Sequence, residues 1–412
     1  MTKTIVVAVL TCERNETLEK FLIEYSKLAV PSAVRAILLV VDNSKDAASR
    51  KMVDSYRSRI VGLRYVVETT LGIPIARNRA VDEALAMQAD HLCFIDDDEY
   101  PDQQWLTKIF SEWQHSKANL IGGPVQVADC CRTFGPWNRL INASLKVRQR
   151  RKNRAADRSS KNGRQPTIVT NNWMCDLHWL RRTGVRFDNE LLYTGGSDTA
   201  FFRAAVAEGC KTAWCPDAVV HETMMRHRLG LRYQFRRGRS QSITRFHMKH
   251  PSVTPLQAVL STIIAIFRFI LGSLLFVVPV FGTASLVMAA RSQGWAVGRI
   301  QAMLGRRSKL YVPKPKTQHE PAESSIDQLL HHPGSMGVAT SGPVLVATMG
   351  KRPSCRFPAA SYAPTFYKTA DFYKTAAFSS NSFVASLSRS VGQLKKQVQS
   401  EDPTPLTESD SL

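Results

Sequence analysis

The stretch HLCFIDDDEYP, residues 91–101, decides the fold. Its opening run, His91 to Ile95, has the length and apolar character of a buried strand, and it ends in three consecutive carboxylates, Asp96, Asp97 and Asp98. In an open parallel sheet the ligand crevice lies beyond the carboxyl ends of the strands, so acid is concentrated where a cation and a diphosphate would sit. Three adjacent anions repel and lose hydration, a cost that a divalent metal offsets. Mg2+ or Mn2+ typically takes one or two carboxylates and completes its shell with substrate phosphate oxygens. The competing reading is a solvated acidic turn before a helix, with Pro101 in its first turn.

On either side of this run, short β-branched stretches alternate with helix-period stretches, the pattern of right-handed βαβ units covering a mostly parallel sheet. Strands are expected at residues 4–10, 36–41, 63–67, 91–95 and 120–122, and helices at 16–28, 75–88 and 102–115. Residues 130–165 are basic and polar and read as a mobile loop. Order resumes with a strand at 167–171, helices near 176–182 and 198–207, and a strand-like run at 218–220.

A chain of 412 residues with 44% apolar content has room for one large or two ordinary domains and an ample core. The eight cysteines are scattered and show no paired CxxC spacing, which fits a reducing compartment; Cys210 and Cys215 lack the second pair a zinc site would need. MTKTIVVAVLTCERN reads as a first strand rather than a signal peptide, so the catalytic half is expected in the cytoplasm. Net charge is +21, and its distribution matters more than its size. Between Glu222 and Glu320 there is no Asp or Glu against sixteen Lys and Arg; residues 132–164 hold eleven against Asp157. Such blocks suit anionic headgroups or nucleic acid phosphates.

The neighbouring sequence favours lipid. Residues 256–290 are interrupted by one charge, Arg268, and the uncharged part, 269–290, is 22 residues. At about 1.5 Å per residue a helix of that length reaches the roughly 30 Å of a hydrocarbon core. Both flanks are basic, so the positive-inside rule favours a hairpin or re-entrant helix pair over one crossing. Just before it, residues 226–250 interleave Arg232, Arg236, Arg239 and Lys249 with Leu231, Tyr233, Phe235 and Phe246, as an interfacial basic helix would. Four segments are thus expected: a catalytic domain at 1–225, a basic interfacial helix at 226–252, apolar membrane-associated helices at 253–312, and a low-complexity, disordered tail at 313–412 with one short helix near 391–398.

Residues with chemical potential fall at strand ends and helix starts. Thr11, Glu13 and Arg14 follow the first strand; Asp42 and Asn43 follow the second, where a carboxylate can accept hydrogen bonds from a uracil ring or a ribose. Gly72, Arg77 and Asn78 sit at a helix start suited to anions. In YTGGSDTAFF, residues 193–202, Asp198 is either a helix cap or a general base that takes a proton from an acceptor hydroxyl. His221 could add a metal ligand or serve as a structural hydrogen bonder.

Together, VAVLTCERN, VVDNS, GIPIARNRA, FIDDDEYPDQQWL, GGPVQ, GGSDTAFF and VVHE resemble the inverting glycosyltransferase family 2, in particular succinoglycan-biosynthesis glucosyltransferases of rhizobia, over about residues 4–246. The resemblance implies an α/β GT-A nucleotide-diphospho-sugar transferase fold, here with C-terminal membrane-associated helices. It implies that Asp42 contacts uracil, Asp96 the ribose and Asp98 an Mg2+ or Mn2+ ion, and that Asp198 is the base, with Thr11, Arg14, Arg77, Asn78 and Asp97 around the donor and His221 beside the metal. The family usually has Glu-Asp where this chain has Ser197-Asp198. The Gln-x-x-Arg-Trp of processive polymerases is absent, residues 234–238 reading QFRRG, so one sugar per encounter is expected.

The expected activity is transfer of a hexose, first of all glucose from a UDP donor, to a lipid-linked oligosaccharide or other envelope or exopolysaccharide acceptor. Its place is the cytoplasmic face of a bacterial plasma membrane, held by the anionic lipid surface. A sugar-1-phosphate nucleotidyltransferase would want a Gly-rich loop and a Lys near the N-terminus, which VLTCERN lacks. A nucleic-acid binder would explain the charge but not the aspartate triplet, and no nucleic acid partner is expected.

Overall fold

The structure is a computed structural model that describes residues 2–129, 134–192, 194–250, 253–277 and 284–308. Ten strands form two sheets: β1 (Lys3–Thr11), β2 (Val34–Asp42), β3 (Arg64–Val67), β4 (His91–Asp96), β5 (Glu99–Pro101), β6 (Leu120–Gly122), β7 (Val125–Val127), β8 (Asn172–Asp176), β9 (Thr212–Trp214) and β10 (Val220–Glu222). The large sheet runs β3-β2-β1-β4-β8-β6-β9, and β5, β10 and β7 make the small one. β1 to β4 are mutually parallel where they pair, whereas β8 is antiparallel to both β4 and β6. The fold is thus α/β, GT-A-like, with a mixed, mostly parallel sheet.

The strands read as continuous apolar runs because both faces are covered. Alternation sends Ile5, Val7, Val9, Leu38 and Val40 into one core and Val6, Ala8, Leu39 and Val41 into the other. The first core is closed by α1 (Asn15–Tyr25), the short α2 (Arg50–Asp54) and α4 (Trp105–Ser116). The second is closed by α3 (Ile73–Ala86), α6 (Leu177–Thr183) and α7 (Ser197–Ala207). Chain order reverses between β1 and β4, where Leu10 lies opposite Asp96, so the crevice opens at that pair of strand ends.

Two expectations change. Residues 130–165 are not a loop throughout: 136–161 form the 26-residue helix α5 (Pro136–Lys161). Pro136 opens it, Arg and Lys are good helix formers, and only its first half is apolar on one side, which hides the periodicity. The strand expected at 167–171 starts five residues later, as β8. The uncharged run 269–290 is shared by two helices, α9 (Pro255–Val277) and α10 (Ala284–Met303), which follow α8 (Leu231–Lys249). The short helix expected near 391–398 and the rest of the 313–412 tail lie outside the described residues.

The last three helices have different roles. α10 packs on α8 backbone to backbone: a Cβ at Gly294 or Gly298 would fall 2.1 Å from the Phe235 carbonyl oxygen and 2.3 Å from that of Arg239. Such small-residue spacing lets helices approach closely. The apolar side chains of α8 therefore turn inward, Phe246 being fully buried, and α8 offers no free apolar face. That face belongs to α9. It is 23 residues long with mean hydropathy 2.2, and among the described residues it is the one helix long and apolar enough to cross a membrane. It buries Ala265, Gly272 and Leu275 while Ile263, Phe267, Ile270 and Leu274 stay exposed.

Candidate active site

The aspartate triplet leaves β4 at the crevice, and each member meets a different partner. Asp97 accepts from Thr11 Oγ1 at 3.1 Å and from Arg14 Nη1 at 2.5 Å. The other arm of Arg14, Nη2, donates to Asp98 Oδ2 at 2.9 Å, and Arg228 Nη1 reaches the same oxygen at 2.6 Å. Arg228 also lies 3.6 Å from Glu222. Burial, then the charges of Asp98 and Asp96, push Asp97 up to about 7 against the pull of Arg14. Asp96 is raised first by burial and next by Asp98, with Asp198 adding to it and Arg77 and Arg14 opposing. Glu99, which accepts from Asn171 Nδ2 at 2.8 Å, is raised well above the ordinary range by burial and by Asp96 and Glu222. The cleft therefore holds more negative charge than its arginines neutralise.

Asp198 reaches this cleft from α7, a hundred residues later in the chain. Two glycines make that possible: Gly195 and Gly196 have φ of 74° and 93°, and a Cβ on Gly196 would meet Thr244 at 2.9 Å. Asp198 sits in the first turn of α7 and accepts from the backbone N–H of Thr199 at 2.8 Å, while the cap position is Gly196. Its neighbour Ser197 is buried and accepts from Arg77 Nη1 at 2.8 Å. Arg77 also lies over the Phe187 ring, which aims its charge toward Asp96. A glutamate at 197 would pair with this guanidinium; serine leaves the positive charge available.

Asp42 is fully buried at the end of β2. Its Oδ2 accepts from Tyr65 Oη at 2.6 Å and from the N–H of Ser49 at 3.0 Å, while Oδ1 has no hydrogen-bond partner in the protein. A buried acceptor with no donor is rare and marks a place for a ligand N–H or O–H. Asn43 next to it clamps the approach to α3, donating to the carbonyls of Glu68 and Thr70 and accepting from the Gly72 N–H. Gly72 has a φ of 151°, a backbone conformation that L side chains rarely adopt, and a Cβ there would also press on Leu192 Cδ2 at 2.5 Å.

Residues 7–184 match the sequence profile of Glycosyl transferase family 2. Over that stretch the chain is similar to glycosyltransferase family 2. Succinoglycan biosynthesis protein ExoM of Rhizobium meliloti (strain 1021) is 28% identical over 238 residues, which is 56% of this chain and 70% of that protein. Among solved structures, S. aureus TarS 1-349 in complex with UDP-GlcNAc overlays with a TM-score of 0.42 at 12% identity, over 74% of this chain and 93% of that one. Mannosyltransferase PcManGT from Pyrobaculum calidifontis, in complex with GDP-Man and Mn2+, overlays with a TM-score of 0.41 at 16% identity, over 74% and 75%.

Two of the expected site residues are spent elsewhere. His221 does not face Asp98. Along β10 its side chain alternates with that of Glu222, hydrogen-bonds through Nε2 to Asp102 Oδ1 at 2.7 Å and stacks on Tyr100, lining a separate cleft with Gln126, Lys146 and Asn153. The acid on the cleft side is Glu222, coupled to Asp98 and Asp96. Asn78 uses its amide to tie down the loop before α7, donating to the Phe187 carbonyl and Asn189 Oδ1 and accepting from the Phe187 N–H. Arg228, Glu99 and Glu222 are the members that sequence reasoning missed. Glu222 was legible in VVHE, but Arg228 disappeared into the basic run read as lipid-binding.

The described residues hold no closed group of three His, Cys, Asp or Glu side chains able to cage a metal. What they offer is Asp96, Asp98 and Glu222 near enough to act on one another's charge, any one or two of which could bind a cation. That donor set fits a hard divalent cation which keeps most of its shell for substrate oxygens.

Proposed function

We propose that this enzyme is an inverting hexosyltransferase that takes glucose from UDP-glucose and adds it to a lipid-linked or polysaccharide acceptor in exopolysaccharide synthesis at the cytoplasmic face of a bacterial plasma membrane. The observation that carries the reading is that Asp198 stands near enough to Asp96 for their charges to act on each other, while Arg77, which also acts on Asp96, is hydrogen-bonded to the adjacent Ser197; an inverting transfer needs a base opposite the departing diphosphate. Asp198 takes the acceptor hydroxyl proton as that oxygen attacks the anomeric carbon, and one attack inverts the centre. The orphan Oδ1 of Asp42 takes the uracil N–H, and Asp96 takes the ribose. Thr11 and Arg14 hold Asp97 and Asp98 in position for the donor, and Arg77 offers charge to the diphosphate. Asp98, with Glu222, would hold Mg2+ or Mn2+, which supplies Lewis-acid stabilisation of the leaving diphosphate.

The likeness to the succinoglycan biosynthesis protein supports the exopolysaccharide assignment, and the exposed apolar face of α9, between basic flanks, supports membrane attachment. In this reading residues 1–225 are catalytic, 226–252 link them to the membrane helices of 253–312, and lipid covers α9. The test incubates detergent-solubilised protein with UDP- and GDP-sugars plus Mn2+, and scores nucleotide release with and without bacterial lipid extract. UDP release from UDP-glucose that rises with the extract is expected; release that is metal-independent or absent with every donor overturns the reading.

A further inference from the structure

Past Arg228 and Glu222, α5, α8 and α10 bring together cations that the donor chemistry does not use. Arg148 and Lys152 stand one turn apart on α5. Arg291 of α10 reaches across to α8, where Nη1 donates to Gln234 Oε1 at 2.8 Å and Nη2 to Gln241 Oε1 at 2.7 Å, both neutral partners. Arg237 of α8 acts on all three. Among the described residues no ion pair joins Arg148, Lys152 or Arg291 to a carboxylate, and solvent reaches each of them. Burial and the neighbouring Arg237 and Arg245 push Arg148 down to about 10, and Arg148, Arg291 and Arg237 lower Lys152, which stays exposed to solvent, with Glu222 pulling the other way. Crowded like charges of this kind cost the fold energy that an anionic ligand would return.

The cluster is connected on both sides. Gln234 also donates to the Arg228 carbonyl at 2.9 Å, and Arg228 pairs with Asp98, so a chain of side chains leads from the aspartate triplet to Arg291. In the other direction α10 packs against α9 and its exposed apolar face. Sugar site, cations, apolar helix is the order of groups along a lipid-linked saccharide: sugar, diphosphate, hydrocarbon. The donor's own diphosphate would already have Arg77 and a metal at the triplet, and a singly charged phospholipid headgroup would not call for several cations at one point.

We propose that Arg148 and Lys152 of α5, with Arg291 of α10, form a second diphosphate site, which holds the diphosphate of a polyprenyl-diphosphate-linked acceptor. It rests on the transferase reading above and narrows the acceptor to that class. The test uses the full-length protein in detergent, with farnesyl diphosphate as the probe, UDP plus Mn2+ as a second ligand and anionic phospholipid vesicles as a third. Arg148→Gln/Lys152→Gln should weaken farnesyl diphosphate binding by roughly tenfold or more, as loss of charge-assisted contacts to phosphate does, and leave UDP affinity within about twofold. The charge-preserving pair Arg148→Lys/Lys152→Arg should bind as the parent does, and so exposes any general loss of folding. Unchanged farnesyl diphosphate affinity in the glutamine variant overturns the proposal. So does a matching loss for UDP, which would assign the cluster to the donor, or a loss confined to vesicles, which would assign it to the bilayer surface. Absence of transfer with every donor would sink the enzyme reading while leaving this binding difference in place, so the two failures are separable.

Discussion

The buried Asp97 is raised from 3.8 to about 7, whereas the solvent-exposed Lys152 is shifted in the opposite sense, down from 10.5. Burial and then the like charges of Asp98 and Asp96 raise the first, and the like charges of Arg148, Arg291 and Arg237 lower the second. At the sheet ends the chain packs acids beyond what Arg14, Arg77 and Arg228 neutralise; among α5, α8 and α10 it packs cations with Glu222 as their counterweight. Each region is electrostatically incomplete alone, and each is complementary to a different ligand: a cation with its donor in the first, an anionic group in the second. The two meet at Arg228 and Glu222, 3.6 Å apart.

Asp198→Asn should have the largest effect, a loss of transfer of about a thousandfold with UDP affinity kept, as removal of a general base does. Single-turnover transfer and calorimetry measure the two quantities, and transfer within tenfold of the parent would break the assignment of the acidic region to catalysis.

The pH dependence of stability comes next. Because the folded pKa of Asp97 lies above its ordinary value, the native state holds a proton that the unfolded chain has lost between about 4 and about 7, so stability falls as pH rises through that window. A shift of that size corresponds to about 4 kcal/mol at most. Thermal melts in EDTA should show the decline, Asp97→Asn should lack it, and Mn2+ should flatten it. On the basic side the sign reverses: Lys152 loses its proton first in the folded protein, so its contribution improves as pH rises toward 10.5, by a small amount because solvent screens this exposed group, and is absent in Lys152→Gln.

Asp98→Ala should weaken Mn2+-dependent UDP binding by about a hundredfold, about 2.7 kcal/mol. Metal-independent UDP binding of equal strength in both proteins would place the cation elsewhere. Gly294→Ala should cost about 1–3 kcal/mol by overpacking α10 on α8. Melting and limited proteolysis should find the damage in the helices, with UDP binding at the sheet ends preserved. The smallest change in chemistry is expected from Ile263→Glu/Phe267→Glu on α9: vesicle partitioning should fall sharply while transfer to a soluble acceptor stays within about twofold of the parent, since α9 touches no reacting group.

The two regions also differ in how far they could be read in advance. The parallel strands were legible because a strand covered on both faces is apolar along its whole length, and their ends point to Thr11, Asp42 and Asp96. The turn before α7 was legible because consecutive left-handed positions demand glycine, and GGSD supplies them. The helical region was not. α5 carries its charges around most of its surface, so no apolar period marks it. The uncharged run at 269–290 gives no sign of where one helix ends and the next begins, because both helices share that run. His221 and Glu222 are adjacent letters, and only the pairing of β10 with β5 and β7 decides which of them faces Asp98.

By itself the sequence determined the layered α/β core, the position of the acids at strand ends and the apolar character of α9, since these follow from local periodicity and composition. Tertiary structure alone decided that Asp198 stands near enough to Asp96 for their charges to act on each other, that Arg228 closes on Asp98 across 130 residues of chain, and that cations from three helices converge. Charge acts through space, and no reading along the chain can tell which distant side chains will stand within a few ångströms of one another.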